Sequence, residues 1–298
     1  MHPLTWSPLE QAVNRARARL GHCMRLPSCS FASFVLKVLL LCCLLAASSA
    51  QAFDHTHAAW TALLKKHVVV IDGGKASKVD YTGFAQDRTL LRGYLDSLSS
   101  VPASEYSGWK KPEQLAFLIN AYNGFTVEKI LTRYPDLKSI RDFGTVFGNP
   151  WKDRFFSLLG KPMTLDGIEQ DTIRAPGAFD EPRTHFAVNC ASIGCPMLRE
   201  EAYVPERLDR QLEEQAERFL SDRSRNRYAG GVLEVSKIFD WYRKDFTSGY
   251  RGIASVEQFL GKYASLLADR PDDQKAIREA RVKVKHLDYD WSLNDAKR

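Results

Sequence analysis

The chain is 298 residues long, 44% hydrophobic and 26% charged, with a formal net charge of +6 and six cysteines. That mixture excludes a fibrous or low-complexity chain and is ample for a sizeable core. The positive balance sits largely in the first 52 residues, so the remainder offers no electrostatic footprint for nucleic acid.

Residues 35–47, VLKVLLLCCLLAA, form an apolar run shorter than the roughly 20 residues that a membrane span needs. Arg15, Arg17, Arg19 and Arg25 precede it, and Ala50-Gln51-Ala52 closes it. Basic, apolar and small segments in that order predict a secretory signal. Met24 opens a leader of more ordinary length and is the expected true start. Cleavage after Ala52 leaves 246 residues, with 37 Lys and Arg against 35 Asp and Glu, in the periplasm or outside the cell. No stable membrane anchor is expected after that cut. Cys23, Cys29, Cys42 and Cys43 leave with the leader, and Cys190 and Cys195 remain where thiols pair.

Residues 53–298 show no repeat and no long linker, which predicts one domain. HVVVI and VDYTGF flank the turn DGGKASK (72–78) and predict a hairpin. DRTLLRGYLDSLSSV (87–101) is amphipathic. The stretch 112–135 opens on proline, stops before another, and is apolar nearly all round, as expected of a buried central helix. RFFSLLGKPMTL (154–165) predicts a hairpin turning at Gly160-Lys161, and THFAVN (184–189) a strand. A helix follows over 204–222, with Leu208, Leu212, Ala216, Phe219 and Leu220 on one stripe. Strands are expected in GVLEVS (231–236) and ARVKVKHLDY (280–289), around a helix that begins with a Ser255–Gln258 capping box. The predicted class is α+β: a buried central helix and amphipathic helices packed on a small, mainly antiparallel sheet.

Five ordered blocks, AFLINAYNGFTVEKIL, TLDGIEQDTIR, HFAVNCASIGCPMLREEAY, VSKIFDWYRKDF and YDWSLN, resemble the domain-of-unknown-function 547 family. The resemblance covers about residues 105–250 and 286–294. It implies a secreted or periplasmic bacterial domain without an established reaction. Where that family often reads Ile-Glu-His, this chain reads Ile168-Glu169-Gln170, so a histidine base at the third position is lost.

Two cysteines five positions apart support two readings. The favoured one is a Cys190–Cys195 disulfide that braces a polar pocket, since a short loop containing Ser and Gly can close between them. The pocket would gather Asn120, Asn123 and Asn189 and bind a peptide, a glycan or an envelope protein. The other reading makes Cys190 the nucleophile of a thiol-dependent hydrolase or acyltransferase. In an extended 184–189 segment His185 would stand roughly 16 Å from Cys190, so His286 in the last strand is the preferred base. Glu169 is a helix-start carboxylate or a general acid or base, with Asp166 near the cap. Phe239, Trp241 and Trp291 read as core anchors. No cofactor is expected. Cleavage after Ala52 would also place His55 third from a free amine, a nitrogen set that suits Cu(II) or Ni(II), with His57 as a further ligand.

Overall fold

Helices and hairpins alternate along the computed structural model, which describes residues 52–144 and 148–297. The expected leader and its two start sites lie outside the described residues. Helix α1 (Ala58–His67) runs into the hairpin β1 (Val68–Ile71) and β2 (Ala76–Val79), with Val68 opposite Val79 and Ile71 opposite Ala76. The extended run expected to continue through Phe84 stops at Val79. Asp80 is the reason: its carboxylate accepts the Gly83 N–H at 3.0 Å and caps α2 (Tyr81–Gln86).

After α3 (Arg88–Ser99) and the short α4 (Ala103–Ser107) comes the central helix, α5 (Lys111–Leu131). Pro112 occupies its first turn, and Glu113 reaches back to the Lys110 N–H at 2.6 Å. Every residue from Leu115 to Val127 is buried, so α5 is wrapped on all sides, as its unbroken apolar character predicts. Each large apolar side chain so enclosed contributes about 1.5–3 kcal/mol of hydrophobic stabilisation.

The hairpin β3 (Phe156–Leu158) and β4 (Lys161–Met163) pairs Leu158 with Lys161, so it turns at Leu159 and Gly160, one residue earlier than expected. Both turn residues have positive φ. Thr164 then caps α6 (Leu165–Ile168) by accepting the Gly167 N–H at 2.8 Å, and one π turn (Glu169–Ile173) extends it. The cap is therefore Thr164, with Asp166 inside the first turn.

The expected strand at 184–189 is absent. Residues Pro182–Phe186 form a 3₁₀ helix because Pro182 fits a first helical turn and the Glu181 carboxylate accepts the Arg183 N–H. Helix α7 (Leu208–Ser221) and the strands β5 (Arg227–Ala229) and β6 (Val232–Val235) follow. Five short helices connect β6 to β7 (Lys283–His286): α8 (Ile238–Trp241), α9 (Arg243–Phe246), α10 (Val256–Gly261), α11 (Ala264–Leu267) and α12 (Pro271–Arg278). That long connection is what a parallel β6–β7 pair requires, whereas β5–β6 is antiparallel. At α10 the Ser255 hydroxyl accepts the Gln258 N–H, while the Gln258 side chain takes the Ala254 N–H.

Helical content beside small sheets makes the class α+β. Two hydrophobic clusters support it. One surrounds α5 and contains Trp60, Phe84, Phe117 and Tyr203; the other joins Phe186 and Phe219 to α8–α12. Among the described residues, no helix is long and apolar enough to cross a membrane.

Candidate functional site

Three buried asparagines shape the loop that carries the cysteines. Asn123 on α5 donates to Ala187 O at 2.9 Å and accepts from Asn189 N at 2.8 Å. One turn earlier, Asn120 does the same for Tyr203, at 2.7 and 3.0 Å. Asn189 in turn donates to Pro196 O and accepts from Ala191 N. Each amide thus behaves as a strand would, meeting backbone groups in pairs. Asn120 and Asn123 are spent on the backbone, Asn189 also accepts from the Asn294 amide at 3.4 Å, and none of the three lines the cavity beside them. They hold the loop in place.

The C-terminal tail closes the loop from its other side. Ile193 N donates to Ser292 O, and Gly194 N to Asp290 O, both at 2.8 Å. A side chain at Gly194 would meet the Asp290 backbone at 2.9 Å, so the close approach needs glycine. Ala191 is held at φ 62°, an uncommon conformation for a residue with a Cβ, directly after Cys190.

Cys190 and Cys195 are free thiols, not a disulfide. Their sulfurs lie 3.0 Å apart in a hydrogen bond, and Cys195 Sγ also accepts the Cys190 N–H at 3.0 Å. Cys190 Sγ further meets Ser192 Oγ at 3.0 Å and the Tyr289 hydroxyl at 3.2 Å. Three donors around one sulfur favour its anion. The Cys195 hydrogen bond lowers the Cys190 pKa, Ser192 and Tyr289 add to it, and burial and the Glu169 charge oppose it. Burial pushes the Cys195 thiol well up, so Cys195 keeps its proton and donates. The two cysteines are therefore a hydrogen-bonded thiol pair of unequal acidity.

Across a cavity of about 200 Å³ stands His185. The 3₁₀ helix buries its ring, stacked on Tyr242 with centroids 3.8 Å apart. Its Nε2 meets Asp245 Oδ2 at 2.6 Å, and Nδ1 faces Glu169 Oε1 at 4.0 Å. Arg174 fastens Asp245 from behind, at 2.5 and 3.0 Å, and also donates to Gln170. Burial alone would raise the Asp245 pKa, yet the bonds from His185 and Arg174 hold it far below the usual carboxylate range. Asp166, by contrast, is raised by burial and by the nearby Glu169. Burial and then the Glu169 charge push the Tyr242 phenol up.

The helical turn at 182–186 removes the extended segment on which the 16 Å separation rested, and His185 and Cys190 line one cavity. They are not hydrogen-bonded to each other: the partners of the Cys190 sulfur are Ser192, Cys195 and Tyr289. His286, the base preferred from sequence, lies outside this cavity at the end of β7, where Asp240 and Lys237 act on it. Phe239 is the core anchor expected, but Trp241 is 44% exposed and forms the cavity mouth with Trp291. Sequence reading missed Ser192, Tyr242, Asp245 and Tyr289. The blocks that hold them were visible, but Asp245 and Tyr289 take their roles from pairings 60 and 99 residues apart, and Ser192 from a turn that brings it back onto Cys190.

Near the first described residues, His57 is buried and its Nδ1 meets the Tyr94 hydroxyl at 2.8 Å. His55 packs edge-on against Trp109, with centroids 4.4 Å apart. His57 Nε2 has no hydrogen-bond partner, and neither has His55 Nδ1. Among the described residues, no group of three or more His, Cys, Asp or Glu is placed to hold a metal ion.

Residues 106–220 match the family model described as "Protein of unknown function, DUF547". Over these residues the chain is similar to DUF547, as its sequence blocks led us to expect. Within it fall α5, both asparagine clamps, Glu169, His185 and the two thiols. Asp245, Trp241, Tyr289 and Trp291 lie beyond the matched DUF547 residues, whereas Trp151 falls within them. No curated protein and no solved structure matches the chain.

Proposed function

We propose that this protein is a thiol-dependent hydrolase or acyltransferase of the cell envelope, with Cys190 as nucleophile. The observation that carries the reading is the Cys190 sulfur itself, ringed by three hydrogen-bond donors and open to the cavity that His185 faces. In this scheme the Cys190 thiolate attacks an acyl carbonyl carbon and forms a C–S bond. The bond to the leaving group breaks as His185 Nδ1 gives that group a proton. Water, or another acceptor, then attacks the thioester, returns a proton to His185 and releases the Cys190 thiolate. Asp245 orients the imidazole through Nε2, the part a third group plays in such sites. Cys195 keeps its proton and stabilises the resting anion.

Export of the chain is part of the same proposal, supported by the basic, apolar and small segments of residues 15–52. The peptide or glycan expected as a ligand becomes the acyl donor or acceptor. The test is acylation by p-nitrophenyl acetate, read by intact mass and peptide mapping. One acetyl group on Cys190 is expected, none in Cys190→Ser, and a long-lived acetyl-enzyme in His185→Ala. Acetylation confined to Cys195, or equal in Cys190→Ser, would overturn the reading.

A further inference from the structure

We propose that the cavity beside Cys190 is a recognition site for an alkylammonium group, such as a lysine side chain, seated on the Glu169 carboxylate beneath the tryptophans of the mouth. The inference deepens the thiol-enzyme reading by naming the substrate feature that the site recognises. Glu169 is 5% exposed, lines the cavity, and its Oε1 has no hydrogen-bond partner. A buried, unpartnered carboxylate oxygen is costly unless a donor arrives. His185 Nδ1, at 4.0 Å, is beyond hydrogen-bond reach.

Tyr242 is hydrogen-bonded to the Glu169 carboxylate, but among the described residues no donor reaches Oε1. The cavity lining includes Asp166 and Glu169 but no lysine or arginine. Arg174 behind it is taken by Asp245 and Gln170, and Arg141 lies over the Trp291 ring at 5.3 Å. The mouth is aromatic: Trp291 meets Trp151 at 5.7 Å and Trp241 at 5.6 Å between ring centroids, and Tyr289 meets Trp241 at 4.9 Å. Indole faces attract cations, and a carboxylate below them adds a hydrogen-bond acceptor for N–H. About 200 Å³ admits one side chain rather than a whole drug-sized ligand.

The seat also bears on the nucleophile. The Glu169 charge works against the Cys190 thiolate, so a cation bound to Glu169 offsets that repulsion and makes the thiol more reactive. Binding of n-butylammonium is read by tryptophan fluorescence, and Cys190 reactivity by iodoacetamide alkylation at pH 7. Saturable quenching is expected in the wild type and not in Glu169→Gln. Alkylation is expected to accelerate about 3-fold with n-butylammonium and not with 1-butanol. Glu169→Gln raises the basal rate and removes the amine effect. Binding without alkylation would sink the nucleophile and leave the seat standing. Alkylation without saturable binding, or an equal response to 1-butanol or in Glu169→Gln, would overturn the seat alone.

Discussion

The Cys190 sulfur differs from Cys195, five residues away, by its surroundings alone. Ser192, Cys195 and Tyr289 all lie within hydrogen-bond reach of it, while Cys195 sits deeper and its thiol is pushed up by burial. Only the thiolate is alkylated, so reactivity rises with pH through the Cys190 pKa. In the wild type the midpoint falls below that of an ordinary thiol. Cys195→Ala removes the strongest donor, which moves the midpoint up and slows alkylation at pH 7 by about 10-fold if one unit is lost. A pH profile of iodoacetamide alkylation, followed by mass spectrometry, measures both. Unchanged profiles would mean that Cys195 does not tune its neighbour.

At the scale of elements, the fit between sequence and structure depended on whether the signal was local. Helix α5 was legible because proline entry and uninterrupted apolar residues act within one segment. Both hairpins were legible for the same reason, although the first turn ends at Lys75 rather than Lys78 and the second comes one residue early. The strand expected at 184–189 failed because Pro182 and the Glu181 cap act just before the alternating run and begin a 3₁₀ turn. That turn moved His185 into the cavity. The asparagines were recognised as needing partners, but the partners, Ala187 O, Asn189 N and the Tyr203 backbone, belong to another part of the chain. Asn123→Ala therefore strands a buried carbonyl and a buried N–H, and is expected to destabilise the fold by about 2–4 kcal/mol. It should also slow Cys190 alkylation, since the loop is no longer fastened. Urea unfolding and alkylation rates on the same sample test the two effects together. A loss of stability below 1 kcal/mol would show that the clamp is dispensable.

Over the whole molecule, acid stability has an identifiable source near the start of the domain. His57 precedes α1, is 1% exposed, and meets Tyr94 of α3, so its protonation would strain the docking of two helices. Burial, with a smaller contribution from His55, lowers its pKa to about 3. The unfolded histidine binds a proton near 6.5 whereas the folded one does not until about 3. Protonation therefore favours the unfolded chain throughout that window, and stability is complete only above it. At pH 5 the loss is about 2 kcal/mol relative to pH 7.5. Thermal unfolding of the chain beginning at Phe53, measured between pH 7.5 and 5, should show this slope. His57→Gln should flatten it while lowering stability at neutral pH. Asp245, whose pKa is depressed, withdraws its contribution only as pH falls past the usual carboxylate range, and so does not confuse the window.

From the sequence alone came the α+β class, the central helix, the family resemblance and the two cysteines as the centre of interest. Those features are written in periodicity, caps and contiguous blocks, which act over a few residues at a time. The tertiary structure decided that the cysteines are unbonded thiols of unequal acidity. It also decided that His185 rather than His286 shares their cavity, that Asp245 and Arg174 fasten that histidine, and that Glu169 keeps one oxygen unpartnered. Hydrogen bonding, burial and charge at this site are set by segments as far apart as Tyr122 and Trp291. No local pattern encodes which of them will meet.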